Sequence, residues 1–166
     1  MNEASHIVVM GVSGSGKSTA ASALADALGR PFAEGDEFHP PANVAKMSEG
    51  TPLNDADREP WLDSIRDWMS AHAAKGESTV VACSALRRVY RERLAAADGR
   101  VQFVLVDVTP EELRRRMGER EHFMPVSLLD SQLATLETIA DDEDGFLVDG
   151  TQAPDEIVSG LVARFS

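Results

Sequence analysis

The eight residues GVSGSGKS, Gly11 to Ser18, follow directly on the apolar run HIVVM (6–10). They match the pattern G-x-x-x-x-G-K-[S/T] at every fixed position, with Gly11, Gly16, Lys17 and Ser18 in place. No other stretch constrains the fold as much, because the pattern works only where a strand ends, the backbone curls and a helix begins. Gly11, Gly14 and Gly16 let successive N–H groups turn inward toward phosphate oxygens. The helix that starts near Lys17 adds its positive end. The stretch Gly11, Val12, Ser13, Gly14, Ser15, Gly16, Lys17, Ser18 and Thr19 therefore reads as a phosphate cradle. Lys17 is placed to reach the β- and γ-phosphates, and Ser18 to offer its hydroxyl to Mg²⁺. A cradle says that a nucleotide phosphate is held. It does not say what receives it.

The remainder of the chain alternates short apolar runs with helical patterns. HIVVM (6–10), TVVAC (79–83), VQFVLVD (101–107) and GFLVD (145–149) read as buried strands, and PFAEGD (31–36) as a weaker one. Helical patterns cover 17–28, a stretch from near 57 with Trp61, Ile65, Trp68 and Met69 on one face, and roughly 86–97, 110–120, 127–138 and 154–165. The alternation predicts a parallel sheet covered on both faces, with ligands beyond the carboxyl ends of the strands. A length of 166 residues suits one domain. No apolar run approaches the roughly 20 residues of a membrane helix, and MNEASH has no basic flank of a leader. The single cysteine, Cys83, permits no internal disulfide, so a reducing cytoplasm is expected. Net charge is −12. Such a surface repels nucleic acid and anionic membranes, so neither is expected as a partner. It also repels ATP and anionic substrates, so basic residues near the motifs must make a local positive site.

Glu34 and Asp36 stand at the end of the weaker strand. In a strand, residues i and i+2 share a face, so both carboxylates are expected to face one ligand. A kinase acting on an alcohol needs two acidic groups. One holds Mg²⁺ or its water, and the other orients and deprotonates the hydroxyl. Asp107 and Asp149 also end apolar strands and compete for the metal role, ranked below the first pair.

HPPANVAKMSEGTPLNDADREPWL (39–62) comes next. Pro40 and Pro41 suit a helix start. His39, Asn43, Lys46 and Met47 then fall near one helical face, offering an imidazole, an amide and a cation to a polyol or carboxylate. The alternative is that His39 and Asn43 stabilise the turn and Lys46 reaches solvent.

Taken in order, GVSGSGKS, EGDEFHPPANVAKMSEGTPLNDADREPWL, ACSALRRVYRERL and HFMPVSLLDSQLATLE resemble the gluconate kinases (gluconokinases), from about Ile7 to Asp149. The first block is shared by many families, and the second and the CSAL block are far more specific. The resemblance implies the fold of nucleoside monophosphate and shikimate kinases. That is a five-stranded parallel sheet of order 2-3-1-4-5, with an acceptor region at about 36–70 and a mobile lid at about 113–132. It implies ATP- and Mg²⁺-dependent phosphorylation of D-gluconate at its 6-hydroxyl, in a homodimer. By position, Asp36 matches the base and Glu34 the acid that helps hold Mg²⁺. His39, Asn43, Lys46 and Arg58 fall in the acceptor block, and Ser84, Ala85 and Leu86 form a strand-end turn facing the acceptor. A carboxylate favours a planar guanidinium fork, so Arg58 and one of Arg87 or Arg91 are its expected grip. At least two of Arg87, Arg88, Arg91 and Arg93 are expected to be plain surface charge. In LRRRMGEREHFMP (113–125), Arg116 and Arg120 share one side of a helix and are expected to close over the phosphates. LVDGTQAP (147–154) lies where adenine rests. Three departures stand out: Glu121 where glycine is usual, Arg87 where lysine is common, and Glu34 for the more frequent aspartate. The nearest rival is another kinase of the same fold, acting on shikimate or a different sugar acid, and the HP..N..KM block and CSAL oppose shikimate. A nucleotide-binding regulatory module and a nucleic-acid-acting ATPase are the others: the intact Lys17, Ser18, Asp36, Arg116 and Arg120 oppose the module, and the acidity, short length and few aromatics oppose the ATPase.

Overall fold

A computed structural model describes residues 4–12, 14–51, 53–119 and 126–165. Within it the strands are β1 (Ser5–Met10), β2 (Phe32–Glu34), β3 (Thr79–Ala82), β4 (Arg100–Asp107) and β5 (Gly145–Asp149). The helices are α1 (Lys17–Leu28), α2 (Pro41–Ser48), α3 (Asp55–Ala73), α4 (Arg88–Ala95), α5 (Pro110–Glu119), α6 (Val126–Thr135) and α7 (Pro154–Phe165). All strand pairings are parallel, and the order is β2-β3-β1-β4-β5. The expected sheet and its order are both present.

The sheet is buried on both faces, which is why its central strands read as continuous apolar runs rather than alternating ones. Alternate residues serve opposite cores. On one face Ile7, Val9, Val80, Ala82, Val104 and Val106 pack with Leu24 of α1 and Ile157 and Leu161 of α7. On the other, Val8, Met10, Val81, Phe103 and Leu105 pack with Trp61, Leu62, Ile65 and Met69 of α3 and Tyr90 and Leu94 of α4. Trp61 and Ile65 are core residues, and Trp68 packs at the edge of the same cluster.

One local expectation fails. β2 ends at Glu34, and Gly35–Phe38 form a 3₁₀ turn. Glu34 and Asp36 therefore do not share a strand face. The reason lies at Gly35, where a Cβ would stand 2.5 Å from the Ala82 carbonyl oxygen of β3. The chain crosses close against β3 there and turns. α2 likewise starts at Pro41, so His39 precedes the helix instead of lying on its face.

Candidate active site

The cradle connects β1 to α1, as the motif requires. Gly11 has no room for a side chain, since a Cβ would lie 2.7 Å from Ser15 Oγ and 3.2 Å from the Val106 carbonyl oxygen. The Val12 side chain enters the core, while its carbonyl accepts from the Ser15 N–H at 3.2 Å. Lys17 is buried at 9% exposure. Ser18 is half-buried and Thr19 exposed. Among the described residues, Ser15 Oγ and Glu34 Oε1 are buried oxygens with no hydrogen-bond partner. Unpaired buried polar atoms are costly in a folded protein, so two of them here mark a place built for a polar ligand. Ser13 lies outside the described residues.

β2, its turn and β3 bring the acids to this place. Burial pushes the Cys83 thiol up to about 12, and the charges of Asp36, Lys17 and Glu34 all reach it. The three charged groups thus converge around the carboxyl end of β3. Asp36 is exposed on its turn, and Glu34 is half-buried. Asp107 and Asp149 sit opposite each other at the ends of β4 and β5, both exposed. The Asp149 carboxylate accepts from the Thr151 N–H at 2.9 Å and from its hydroxyl at 2.5 Å, which shapes the loop after β5.

A cavity of about 320 Å³ lies beside the cradle, lined by Gly14, Thr19, Arg116, Gly150, Gln152 and Pro154 among others. Gly150, Gln152 and Pro154 of the expected adenine loop (147–154) therefore line the cavity beside the cradle. Arg116 differs from expectation. Its Nη1 donates to the Gly14 and Ser15 carbonyls at 3.0 and 3.3 Å, and its Nη2 to the Gly150 carbonyl at 2.9 Å. It ties the cradle to the adenine loop. Arg120 and Glu121 lie outside the described residues, so the expected pairing of Arg116 with Arg120 does too.

On the acceptor side, α2 is locked onto the start of α3. Asn54 caps α3, with its Oδ1 accepting from the Asp57 N–H at 2.8 Å and its own N–H donating to Asp57 Oδ2 at 3.0 Å. Lys46 pairs with the same carboxylate at 2.8 Å. Asn43, buried, donates to the Asp57 carbonyl at 2.8 Å and meets His39 Nδ1 at 3.1 Å. Asn43 and Lys46 thus hold two helices together instead of presenting free groups to an acceptor. His39 stacks on Trp61 with ring centroids 4.3 Å apart, and Trp61 Nε1 donates to the Gly35 carbonyl at 2.7 Å. Burial lowers the His39 pKa, Asp36 raises it and Arg58 lowers it. The imidazole thus feels both the turn acid and the arginine.

Arg58 and Arg87 line a second cavity of about 760 Å³, together with Asn54, Asp55, Tyr90 and Glu137. The two guanidinium groups share it with two carboxylates, and Arg87 is paired with Asp55 at 2.7 Å and faces Glu137 at 3.7 Å. Arg91 is not part of it. Arg91 is 1% exposed, and its Nε and Nη2 donate to the Glu143 carboxylate at 2.6 and 3.0 Å. Its Nη1 donates to the Ala85 and Glu137 carbonyls at 3.1 and 3.0 Å. The expectation that Arg91 faces an acceptor is corrected: a buried guanidinium must be fully partnered, and this one is. Arg88 and Arg93 pair on the surface with Asp142 and Asp63. In the turn after β3, Ala85 is fully buried and adopts φ +41, and Leu86 is buried with its carbonyl accepting from the Glu137 N–H at 2.6 Å. Ser84 alone of the three is accessible. Sequence reasoning missed Tyr90 and Asp55. The only sign of Tyr90 was a polar-tipped aromatic on the inward face of a basic helix.

The comparisons with known proteins agree with this geometry. A family model described as an AAA domain matches residues 7–139. A gluconokinase from Gluconobacter oxydans (strain 621H) is 52% identical over 160 residues, covering 96% of this chain and 90% of that protein. The unliganded crystal structure of a sugar kinase from Janibacter sp. HTCC2649 superposes with a TM-score of 0.93 at 49% identity, covering 96% of this chain and 93% of that one. A gluconokinase structure from Sinorhizobium meliloti 1021 gives 0.86 at 47% identity, covering 98% and 92%. At half identity to a gluconokinase across nearly the whole of both chains, the chain belongs to the gluconokinase family of P-loop kinases.

Proposed function

We propose that the chain phosphorylates D-gluconate at its 6-hydroxyl with ATP, giving 6-phospho-D-gluconate and ADP. The observation that carries this is the convergence of Lys17, Glu34 and Asp36 at the carboxyl end of β3, in a chain that is half identical to a protein named gluconokinase. In this reading Asp36 accepts the proton as O6 attacks the γ-phosphorus, and the bond to the β–γ bridging oxygen breaks. Lys17 stabilises the charge that moves onto the β- and γ-phosphates. Mg²⁺ bound with ATP supplies further charge neutralisation. Ser18 and Glu34 would hold it, and the unpartnered Glu34 Oε1 fits that use.

Arg58 and Arg87 grip the carboxylate at the other end of the acceptor, and His39 and Ser84 lie between the two ends. Arg116 braces the nucleotide side, and Arg120 belongs to a lid at about 113–132 that closes over the phosphates. The family resemblance supports one kinase domain across 1–166, a homodimer and a cytoplasmic setting. No helix among the described residues is long and apolar enough to cross a membrane.

The test is ADP release with Mg·ATP, comparing no acceptor, D-gluconate, shikimate and other sugar acids. A large rise with gluconate alone is expected. A rise with another acid keeps the fold and mechanism and replaces the acceptor. Tight ATP binding with no rise for any acceptor overturns the reading in favour of a regulatory module.

A further inference from the structure

Four side chains in the 760 Å³ cavity form one hydrogen-bonded set, and the Glu137 carboxylate faces it 3.7 Å from Arg87 Nε. Asp55 is the first residue of α3, Arg58 follows one turn later, and Arg87 and Tyr90 stand at the start of α4. Arg58 Nη1 donates to the Tyr90 hydroxyl at 2.8 Å, and that hydroxyl donates to Asp55 Oδ1. Arg87 Nη1 donates to Asp55 Oδ2 at 2.7 Å. Both guanidinium carbons also lie over the Tyr90 ring, 5.3 and 5.8 Å from its centre. A carboxylate of the protein thus rests on a phenol and a guanidinium, with a second guanidinium behind the phenol.

The set divides into a fixed part and a movable part. Tyr90 is 4% exposed and packed in the core beside Leu94. The Asp55 side chain is 57% exposed and that of Arg87 37%. An exposed Asp–Arg pair contributes little to stability, so exchanging its acid for another is easy. The hydrogen bonds from Tyr90 and Arg87 hold the Asp55 carboxyl below its ordinary pKa, so it is an anion at neutral pH. Burial raises the Tyr90 pKa, so its hydroxyl keeps a proton to donate. The donors that an acceptor carboxylate needs are therefore already arranged, and already in use by one.

We propose that Asp55 sits, in the acceptor-free protein, on the seat that the acceptor's carboxylate takes, and that the Tyr90 hydroxyl, beside Arg58 and Arg87, donates to whichever carboxylate is seated. This rests on the reading that the acceptor is a sugar acid. No covalent bond changes. One carboxylate leaves the phenol and the Arg87 fork, and another takes its place. The displaced Asp55 remains nearby and opposes the incoming anion, which limits affinity for carboxylates that lack further contacts.

The two residues then act with opposite sign, which general damage to the fold does not produce. Steady-state kinetics on the full chain at saturating Mg·ATP, with D-gluconate varied, separates them, and thermal melts report folding. Asp55→Asn is expected to lower the gluconate KM by about three- to tenfold, and Tyr90→Phe to raise it by about tenfold, as loss of a hydrogen bond to a charged group does. In both, kcat stays within about twofold and the KM for ATP is unchanged. A gluconate KM that is unchanged or raised in Asp55→Asn overturns the seat. An unchanged KM in Tyr90→Phe overturns the role of Tyr90 as a donor to the seated carboxylate. A wild-type protein inactive on every sugar acid overturns the acceptor reading and this inference with it. An active wild type with both variants unchanged overturns this inference alone.

Discussion

In the proposed reading, the nucleotide cradle and the acceptor side hold their ligands by different means. The cradle is one contiguous stretch, Gly11 to Thr19, and it works through backbone N–H groups, one lysine and a helix end. The acceptor side is assembled from β2's turn, α2, α3 and the β3–α4 connection, and it works through side chains. Its central contact, Tyr90 to Asp55, joins residues 35 apart in sequence. A backbone site needs little support from outside, because its shape is set by local torsions. A side-chain site needs partners to hold each group. Here Asp57 accepts from Asn54, Asn43 and Lys46, while Trp61 donates to the Gly35 carbonyl and stacks on His39.

The largest test of this contrast is Lys17→Ala. Loss of the one cradle side chain that reaches the transferred phosphate should lower kcat by about 10³ or more, as removal of a transition-state charge contact does. Turnover near wild type would break the cradle reading. Next is Asp36→Asn, expected to cost about 10²–10⁴ in kcat, the range of general-base contributions, with ATP binding near normal. Loss of ATP binding instead would move Asp36 to the metal site and blur the line between the two regions.

Gly11→Ala probes the cradle's backbone alone. A methyl 2.7 Å from Ser15 Oγ and 3.2 Å from a carbonyl must displace one of them, so ATP should bind more weakly while the acceptor KM holds. Trp61→Phe is its counterpart on the acceptor side. It keeps a ring against His39 but removes the indole N–H that donates to the Gly35 carbonyl, at a cost of about 1 kcal/mol in denaturant unfolding. Its kinetic effect should fall on the acceptor and not on ATP.

The smallest effect is expected from pH and from a residue outside both regions. His6 is fully buried, with Nδ1 2.7 Å from Thr79 Oγ1 and Nε2 2.9 Å from the Asp98 carbonyl, and burial lowers its pKa below 6.5. The unfolded chain then takes up a proton before the folded one does. The stabilisation from neutral His6 is full above about pH 6.5 and is lost as pH falls toward the folded-state value. His39 shifts in the same direction. The paired carboxylates, such as Asp55 and Glu143, have lowered pKa values, so they lose stability only at lower pH, below the ordinary carboxylate range. Urea midpoints at about pH 7.5 and 5.5 should therefore differ, and differ less in His6→Gln. An equal difference in that variant would exclude His6 as a source.

Much of this molecule is legible along the chain because the signals are local. An apolar run followed by GVSGSGKS can only be strand, loop and helix. The alternation that follows implies a parallel sheet. The family resemblance added the strand order, which periodicity does not contain. What misled was also local reasoning. The spacing of Glu34 and Asp36 is right for one strand face, but Gly35 lies against Ala82 and the strand ends there. Arg91 reads as one basic residue among four on a helix, and nothing nearby in sequence reveals that Glu143 waits for it.

The sequence by itself determined the cradle, the two-faced sheet and the set of charges available for phosphoryl transfer, because these rest on torsions and periodicity over a few residues. Only the tertiary structure decided which arginines line the larger cavity, that Asn43 and Lys46 brace helices, and that Asp55 and Tyr90 belong to that cavity. Those assignments depend on which distant group lies within 3 Å of each side chain, and a guanidinium or amide looks the same in sequence whichever partner it finds.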